Sequence, residues 1–302
     1  MEPALSVRAL IALAAPVVLA GCTAGQPGGA PLAPPEPRQW AAACEDWDAW
    51  DKPGPPFRIH GDTYYVGTCG ISAILVAGDD GHALIDTGTV AGTGHVLANI
   101  RRLGFDPADI ALLLISHEHF DHVAGTAMVQ ELSGARLVAA DPAADVLSTG
   151  MPGERDPQFA IAEQFPAARV DQTIGGAEFV KQGSLSFLHI PTPGHTPGAS
   201  SWQWRSCEDG QCISIVYADS LSPIGADGYR FSQDRELVED FRRGLGYLAD
   251  SDCDLLLTPH PSASAMRTRL EEGTLIDDTA CRRYAEGISA RLDKRLAEEA
   301  GQ

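Results

Sequence analysis

The chain has 302 residues, with 22 Lys and Arg against 41 Asp and Glu, for a formal net charge of -19. Phosphate backbones are bound by clustered Lys and Arg, and neither a basic stripe nor an inserted second domain is visible, so a nucleic-acid partner is argued against. With 44% hydrophobic residues, the length that remains after a leader and a linker is enough to bury the interior of one domain, and a second is not needed.

At the N-terminus Arg8 precedes the apolar run Ala9 to Ala20, too short for a comfortable membrane span, and residues 1–21 read as a signal peptide. The run ends in Leu19-Ala20-Gly21-Cys22, which resembles a bacterial lipobox and predicts a lipidated Cys22 at the mature N-terminus. Residues 22–38 follow, rich in Pro, Gly and Ala without apolar periodicity, as an extended tether that holds a domain at 39–302 off a membrane. The expectation is an exported, periplasmic lipoprotein whose membrane contact is limited to this anchor.

Strand-like runs then appear at Phe57 to Val66, Ile71 to Val76, Ala83 to Asp86, Ala111 to Ile115, Leu137 to Ala139, Leu185 to Ile190, Ser200 to Trp204, Ile213 to Tyr217 and Asp254 to Leu257. Helical spacing of three to four residues marks Leu237, Phe241, Leu245 and Leu248, and again Cys281, Tyr284, Ile288, Leu292 and Leu296. Such stripes are core faces, and strands alternating with helices are buried by two sheets with helices outside each.

Chemistry concentrates at the ends of these runs. Ser116-His117-Glu118-His119-Phe120-Asp121-His122 directly follows the apolar run Ile110 to Ile115. Alternation places His117 and His119 on one side of an extended segment, while Asp121 and His122 reach a second ion beside the first. The spacing is not the metalloprotease H-E-x-x-H, in which the histidines share a helical face. His195 lies in Thr192-Pro193-Gly194-His195-Thr196-Pro197-Gly198, where glycines and prolines stiffen a turn and leave the imidazole facing outward. His260 leaves the run Leu255-Leu256-Leu257 within Thr258-Pro259-His260-Pro261. Asp86, in Ile85-Asp86-Thr87-Gly88, suits either a turn cap or a partner that fixes a histidine tautomer.

The order HxHxDH, GHTPG, TPHP resembles the metallo-beta-lactamase superfamily. With Tyr64-Tyr65-Val66-Gly67, Ala83 to Gly88, Pro193 to Trp202 and Tyr217-Ala218-Asp219-Ser220-Leu221-Ser222, the likeness narrows to subclass B3 from about residue 44 to the C-terminus. The resemblance implies an α/β fold, the four-layer αββα sandwich. It also implies two zinc ions per chain, the first held by His117, His119 and His195 and the second by Asp121, His122 and His260. The implied activity is hydrolysis of the beta-lactam amide by a zinc-bound hydroxide, with Asp121 also orienting the nucleophile and a small-molecule lactam as substrate of a monomer. Ser220 and Ser222 would bind the drug's carboxylate, with Tyr229 nearby. In related thioester and lactone hydrolases an aspartate in a motif like that of Asp219 bridges both metals, which keeps such a hydrolase as the alternative.

Apart from Cys22, the cysteines are Cys44, Cys69, Cys207, Cys212, Cys253 and Cys281, an even number that allows fifteen pairings and suits an oxidising compartment. Sequential pairing is the simplest, and some B3-like enzymes are similarly bridged. A long loop so closed contributes about 3 kcal/mol.

Overall fold

The computed structural model describes Met1 and residues 35–301, so the leader, Cys22 and the tether through residue 34 lie outside the described residues. The strands are β1 (Phe57–His60), β2 (Thr63–Tyr65), β3 (Ile74–Val76), β4 (His82–Ile85), β5 (Ile110–Leu114), β6 (Arg136–Ala140), β7 (Gln172–Ile174), β8 (Phe179–Gln182), β9 (Leu185–Pro191), β10 (Ser200–Glu208), β11 (Gln211–Tyr217) and β12 (Leu255–Leu257). The α-helices are α1 (Pro37–Ala43), α2 (Val90–Arg102), α3 (Phe120–Val123), α4 (Thr126–Ser133), α5 (Ala144–Thr149), α6 (Arg235–Ala249), α7 (Met266–Glu272) and α8 (Ala280–Ala300).

One sheet has the order β1-β2-β3-β4-β5-β6-β7 and the other β12-β11-β10-β9-β8. In the first, β4 to β7 run parallel; in the second, only β11 and β12 do. The period of two along each strand sorts side chains into layers. Ile85, Leu112, Leu114, Ile215, Tyr217, Leu255 and Leu257 face the opposing sheet and meet in one buried cluster. Leu84, Leu113 and Ile115 point the other way, against Val96 and Ile100 of α2 and Val129 of α4. On the far side Val216 and Leu256 pack against Phe241, Leu245 and Leu248 of α6 and Ile288 and Leu292 of α8. Both faces of the parallel strands are therefore covered, which is why they read as continuous apolar runs. The result is helix, sheet, sheet, helix, the expected sandwich. In α6 the Asp234 carboxylate accepts the Leu237 N–H at 3.0 Å and caps the first turn.

Some boundaries differ from the expectation. Phe57 to Val66 is a hairpin of two strands, turned at Gly61 with φ +49°, where a Cβ would lie 2.5 Å from the Cys207 carbonyl oxygen. Strands β10 and β11 extend to an Asp209-Gly210 turn, both residues at positive φ, and the Cys207–Cys212 bridge crosses this hairpin. Strands β7 and β8 were not anticipated, because each exposes polar residues and is only three or four residues long. The other two bridges, Cys44–Cys69 and Cys253–Cys281, also follow the sequential pairing.

Candidate metal centre

Asp86 follows β4, His117 to His122 follow β5, His195 lies between β9 and β10, Asp219 to Ser222 follow β11, and His260 follows β12. All five segments meet at one edge of the sandwich, and hydrogen bonds between the sheets hold them there. The Ser200 N–H donates to the Ser116 carbonyl at 2.6 Å, the Trp202 indole to Ile115 at 2.7 Å, and the Ser72 N–H to Pro259 at 2.8 Å.

The rings of His117, His119 and His195 form a near-equilateral triangle, with centroids 4.9, 4.8 and 4.9 Å apart. One nitrogen of each ring is engaged from behind. His117 Nδ1 is 2.8 Å from Asp219 Oδ1 and 3.1 Å from Ser116 Oγ; His119 Nε2 is 2.8 Å from Asp156 Oδ2; His195 Nδ1 is 3.0 Å from the Ser222 carbonyl. Left over are His117 Nε2 and His119 Nδ1, while His195 Nε2 has only the Gln158 side-chain amide, 3.5 Å away. Of these His117 Nε2 is fully buried with no hydrogen-bond partner, which is otherwise costly and fits a cation.

A second set adjoins the first. Asp121 Oδ2 lies 2.9 Å from His122 Nε2 and 3.4 Å from His260 Nε2, yet neither His122 nitrogen has a hydrogen bond of acceptable geometry. Three donors converging without bonding one another are arranged for an ion at their common point. His117, Asp121 and His122 also offer ligand atoms within 4.8 Å of each other, so the two sets are neighbours. Three imidazole nitrogens in the first set, and two with a carboxylate in the second, suit zinc.

Burial keeps three of the imidazoles neutral. It lowers His117 well below its ordinary value, His195 to about 3 and His260 to about 4, leaving lone pairs free at neutral pH. At His119 burial is outweighed by Asp156, and at His122 by Asp121, so both are raised. Burial opposes ionisation of Asp121 as well, but His122 beside it holds the carboxyl well below the usual range.

Asp86 receives the Ser116 N–H at 2.7 Å, the Ser116 hydroxyl at 2.8 Å and the Tyr217 hydroxyl at 2.7 Å. Its Oδ2 stands 3.7 Å from His122 Nδ1, and burial pushes the carboxyl up to about 6 against the pull of His122. Asp86 has φ +60°, a strained backbone at the strand end. Asp219 is fully buried; its Oδ2 accepts the Leu221 N–H at 3.0 Å, and its other oxygen meets the His117 nitrogen opposite Nε2. Ser220 Oγ is buried without a partner, and Ser222 contributes its carbonyl to His195. The Tyr229 hydroxyl turns to Asp234, 3.5 Å away, and its ring packs edge-on against Phe231.

His195 is 7% exposed, and does not face outward as the turn suggested. Gly194 before it has φ +153°, and a Cβ there would lie 2.3 Å from the Phe241 ring, so the turn is pressed onto α6. Two further carboxylates were not anticipated. Glu118, inside the histidine motif, accepts the Thr196 hydroxyl at 2.7 Å and the Gly198 N–H at 3.0 Å, joining the first loop to the His195 turn. Asp156 arrives from a long segment between α5 and β7 that has no periodicity to mark it. Trp47 and Trp50, both exposed, flank the His260 ring with centroids at 6.3 and 6.4 Å.

This chain belongs to the metallo-beta-lactamase superfamily, whose sequence profile matches residues 66–208. The structure superposes on MIM-2 metallo-beta-lactamase with a TM-score of 0.84 at 56% identity, covering 87% of this chain and 98% of that one. MEM-A1, a subclass B3 metallo-beta-lactamase from a soil metagenome library, gives 0.79 at 39% identity, over 84% and 99% of the two chains. The hydroxyacylglutathione hydrolase of Bradyrhizobium sp. (strain ORS 278) is 28% identical over 192 residues, which span 60% of this chain and only 64% of that curated relative.

Proposed function

We propose that this chain is a zinc-dependent beta-lactamase of the B3 type that opens the lactam amide and so confers resistance to beta-lactam antibiotics. The observation that carries the reading is the 56% identity to MIM-2 over 98% of that enzyme, in a chain that keeps both donor sets. His117, His119 and His195 would hold a first ion, and Asp121, His122 and His260 a second, giving two per chain. Bound zinc supplies Lewis acidity, which brings the pKa of water near neutrality and polarises a carbonyl.

The chain's own groups then position the reactants. Asp121 orients the attacking water, whose O–H donates a hydrogen bond to its carboxylate. Ser220 Oγ, buried and unpartnered, and the Ser222 hydroxyl serve the substrate carboxylate, with Tyr229 at the margin of that pocket. Asp86 and Asp219 act from behind the histidines, fixing which nitrogen of each ring faces the centre. The position of the Asp219 carboxylate supports this reading over a thioester or lactone hydrolase in which that aspartate bridges the metals: Oδ2 accepts the Leu221 N–H, and Oδ1 lies 2.8 Å from His117 Nδ1, on the side of the ring away from Nε2.

The same reading includes export, lipidation at Cys22, a periplasmic location, a monomeric state and no nucleic-acid partner; the leader sequence and the acidic charge support it. The deciding experiment assays purified, zinc-loaded protein against a panel of lactams, a thioester and a lactone. Lactam turnover that is abolished by a chelator and restored by zinc is the expected result. Preference for the thioester or lactone, or full activity without metal, overturns the reading.

A further inference from the structure

A separate cavity of about 360 Å3 opens between α7, the 261–264 turn and α8, and Arg269, Arg283, Arg291, Ser264 and Tyr284 are among its lining residues. Three arginines lining one cavity stand out in a chain with 41 acidic and 22 basic residues. Arg269 is 9% exposed, and its partners are carbonyl oxygens: Nη1 donates to Leu256 at 2.9 Å and Ser264 at 3.4 Å, and Nη2 to Leu275 at 2.6 Å. A guanidinium carries five N–H donors, so two remain unspent, one on Nη2 and the other on the buried Nε, which has no partner. A buried cation with idle donors and no carboxylate of its own calls for an anion or water that satisfies them. Arg283 is engaged by Asp277, whereas among the described residues no carboxylate forms an ion pair with Arg291. Burial lowers the Arg269 pKa, opposed by nearby Asp277 and reinforced by Arg283.

We propose that this cavity binds a small oxyanion, a phosphate or a carboxylate, held between the guanidinium groups of Arg269, Arg283 and Arg291. Planar guanidinium donors match both oxyanions in geometry and charge. The cavity also abuts the metal centre's substrate loop, since the Tyr284 hydroxyl donates to the carbonyls of Ser220 at 2.8 Å and Asp219 at 3.2 Å. The inference does not depend on the activity proposed above.

The test titrates zinc-loaded full-length protein by calorimetry with inorganic phosphate and, separately, with acetate, at constant ionic strength. One saturable equivalent is expected, and Arg291→Gln and Arg283→Gln, both changes at exposed positions, should each weaken it about tenfold while the protein stays folded. Saturation by phosphate alone identifies the ligand class as phosphate, and by acetate alone as carboxylate. Phosphate bound at the metal centre would instead compete with substrate and ignore Arg291→Gln. That result, or the absence of saturable binding, overturns the proposal.

Discussion

At the scale of single residues, the groups behind the histidines decide how well the donor triangle is held. Asp156 is 2.8 Å from His119 Nε2 and buried, so it both orients the ring and raises its basicity. Asp156→Ala should weaken the first metal site by about 10- to 100-fold, and Asp156→Asn, which keeps an acceptor but not the charge, by less. Competition with a chromogenic chelator reads this directly, and equal affinities in all three proteins would remove Asp156 from the site. Asp219→Ala should still take up two zinc ions when folded, because its carboxylate lies behind His117. Elemental analysis showing the loss of one equivalent would identify a bridging carboxylate and favour the alternative hydrolase.

Elements matter because the donors sit on loops whose ends are clamped by what packs beneath them. The His195 turn rests on Phe241 of α6, with room for no more than a hydrogen at Gly194. Gly194→Ala combines an unfavourable φ with a steric clash and should cost about 2–4 kcal/mol in denaturant unfolding, while lactam turnover falls with His195 displaced. Phe241→Ala leaves a cavity in the layer between α6 and the second sheet and should cost about 3–5 kcal/mol. Because the two side chains contend for the same space, the double variant should be less destabilised than the sum. Strict additivity would mean that the turn does not lean on the helix.

Across the molecule, the C-terminal end of the last helix is tied to residues 231–232 by a carboxylate. Glu299 accepts the N–H groups of Phe231 at 3.2 Å and Ser232 at 2.7 Å and the Arg295 guanidinium at 2.7 Å. Burial would raise its pKa, but these donors hold it at about 2, below the ordinary 4.5. A depressed carboxyl stabilises the fold above its unfolded pKa, and that contribution fades as pH falls from about 4.5 toward about 2. Glu299→Gln should therefore lose about 2 kcal/mol at neutral pH and show a flatter decline through the acid window. Thermal unfolding measured from pH 7 to 3 checks both, and parallel curves for the two proteins would discount the linkage. At the other end of the chain, Cys22→Ser should release the protein from the membrane fraction without altering the specific activity of the soluble domain. Unchanged fractionation would end the lipoprotein reading.

Local patterns carry their information in neighbouring residues, and whatever is local was legible. Apolar runs with a period of two marked the central strands, three-to-four spacing marked α6 and α8, and HxHxDH, GHTPG and TPHP placed six donors at strand exits before any geometry was known. What stayed hidden depends on segments far apart in sequence. The short, polar strands β7 and β8 have no pattern of their own and exist because a neighbouring strand pairs with them. Asp156 becomes a partner of His119 across 37 residues, and Glu118 meets Thr196 across 78, through loops whose paths no spacing encodes. The inward turn of His195 likewise follows from Phe241, a core residue of another element. Sequence alone therefore determined which chemical groups the chain would bring to one edge of a two-sheet sandwich. Only the packing of that sandwich decided which nitrogen of His119 and of His195 is turned away from the centre, because the Asp156 carboxylate and the Ser222 carbonyl that take it are delivered from elsewhere in the fold.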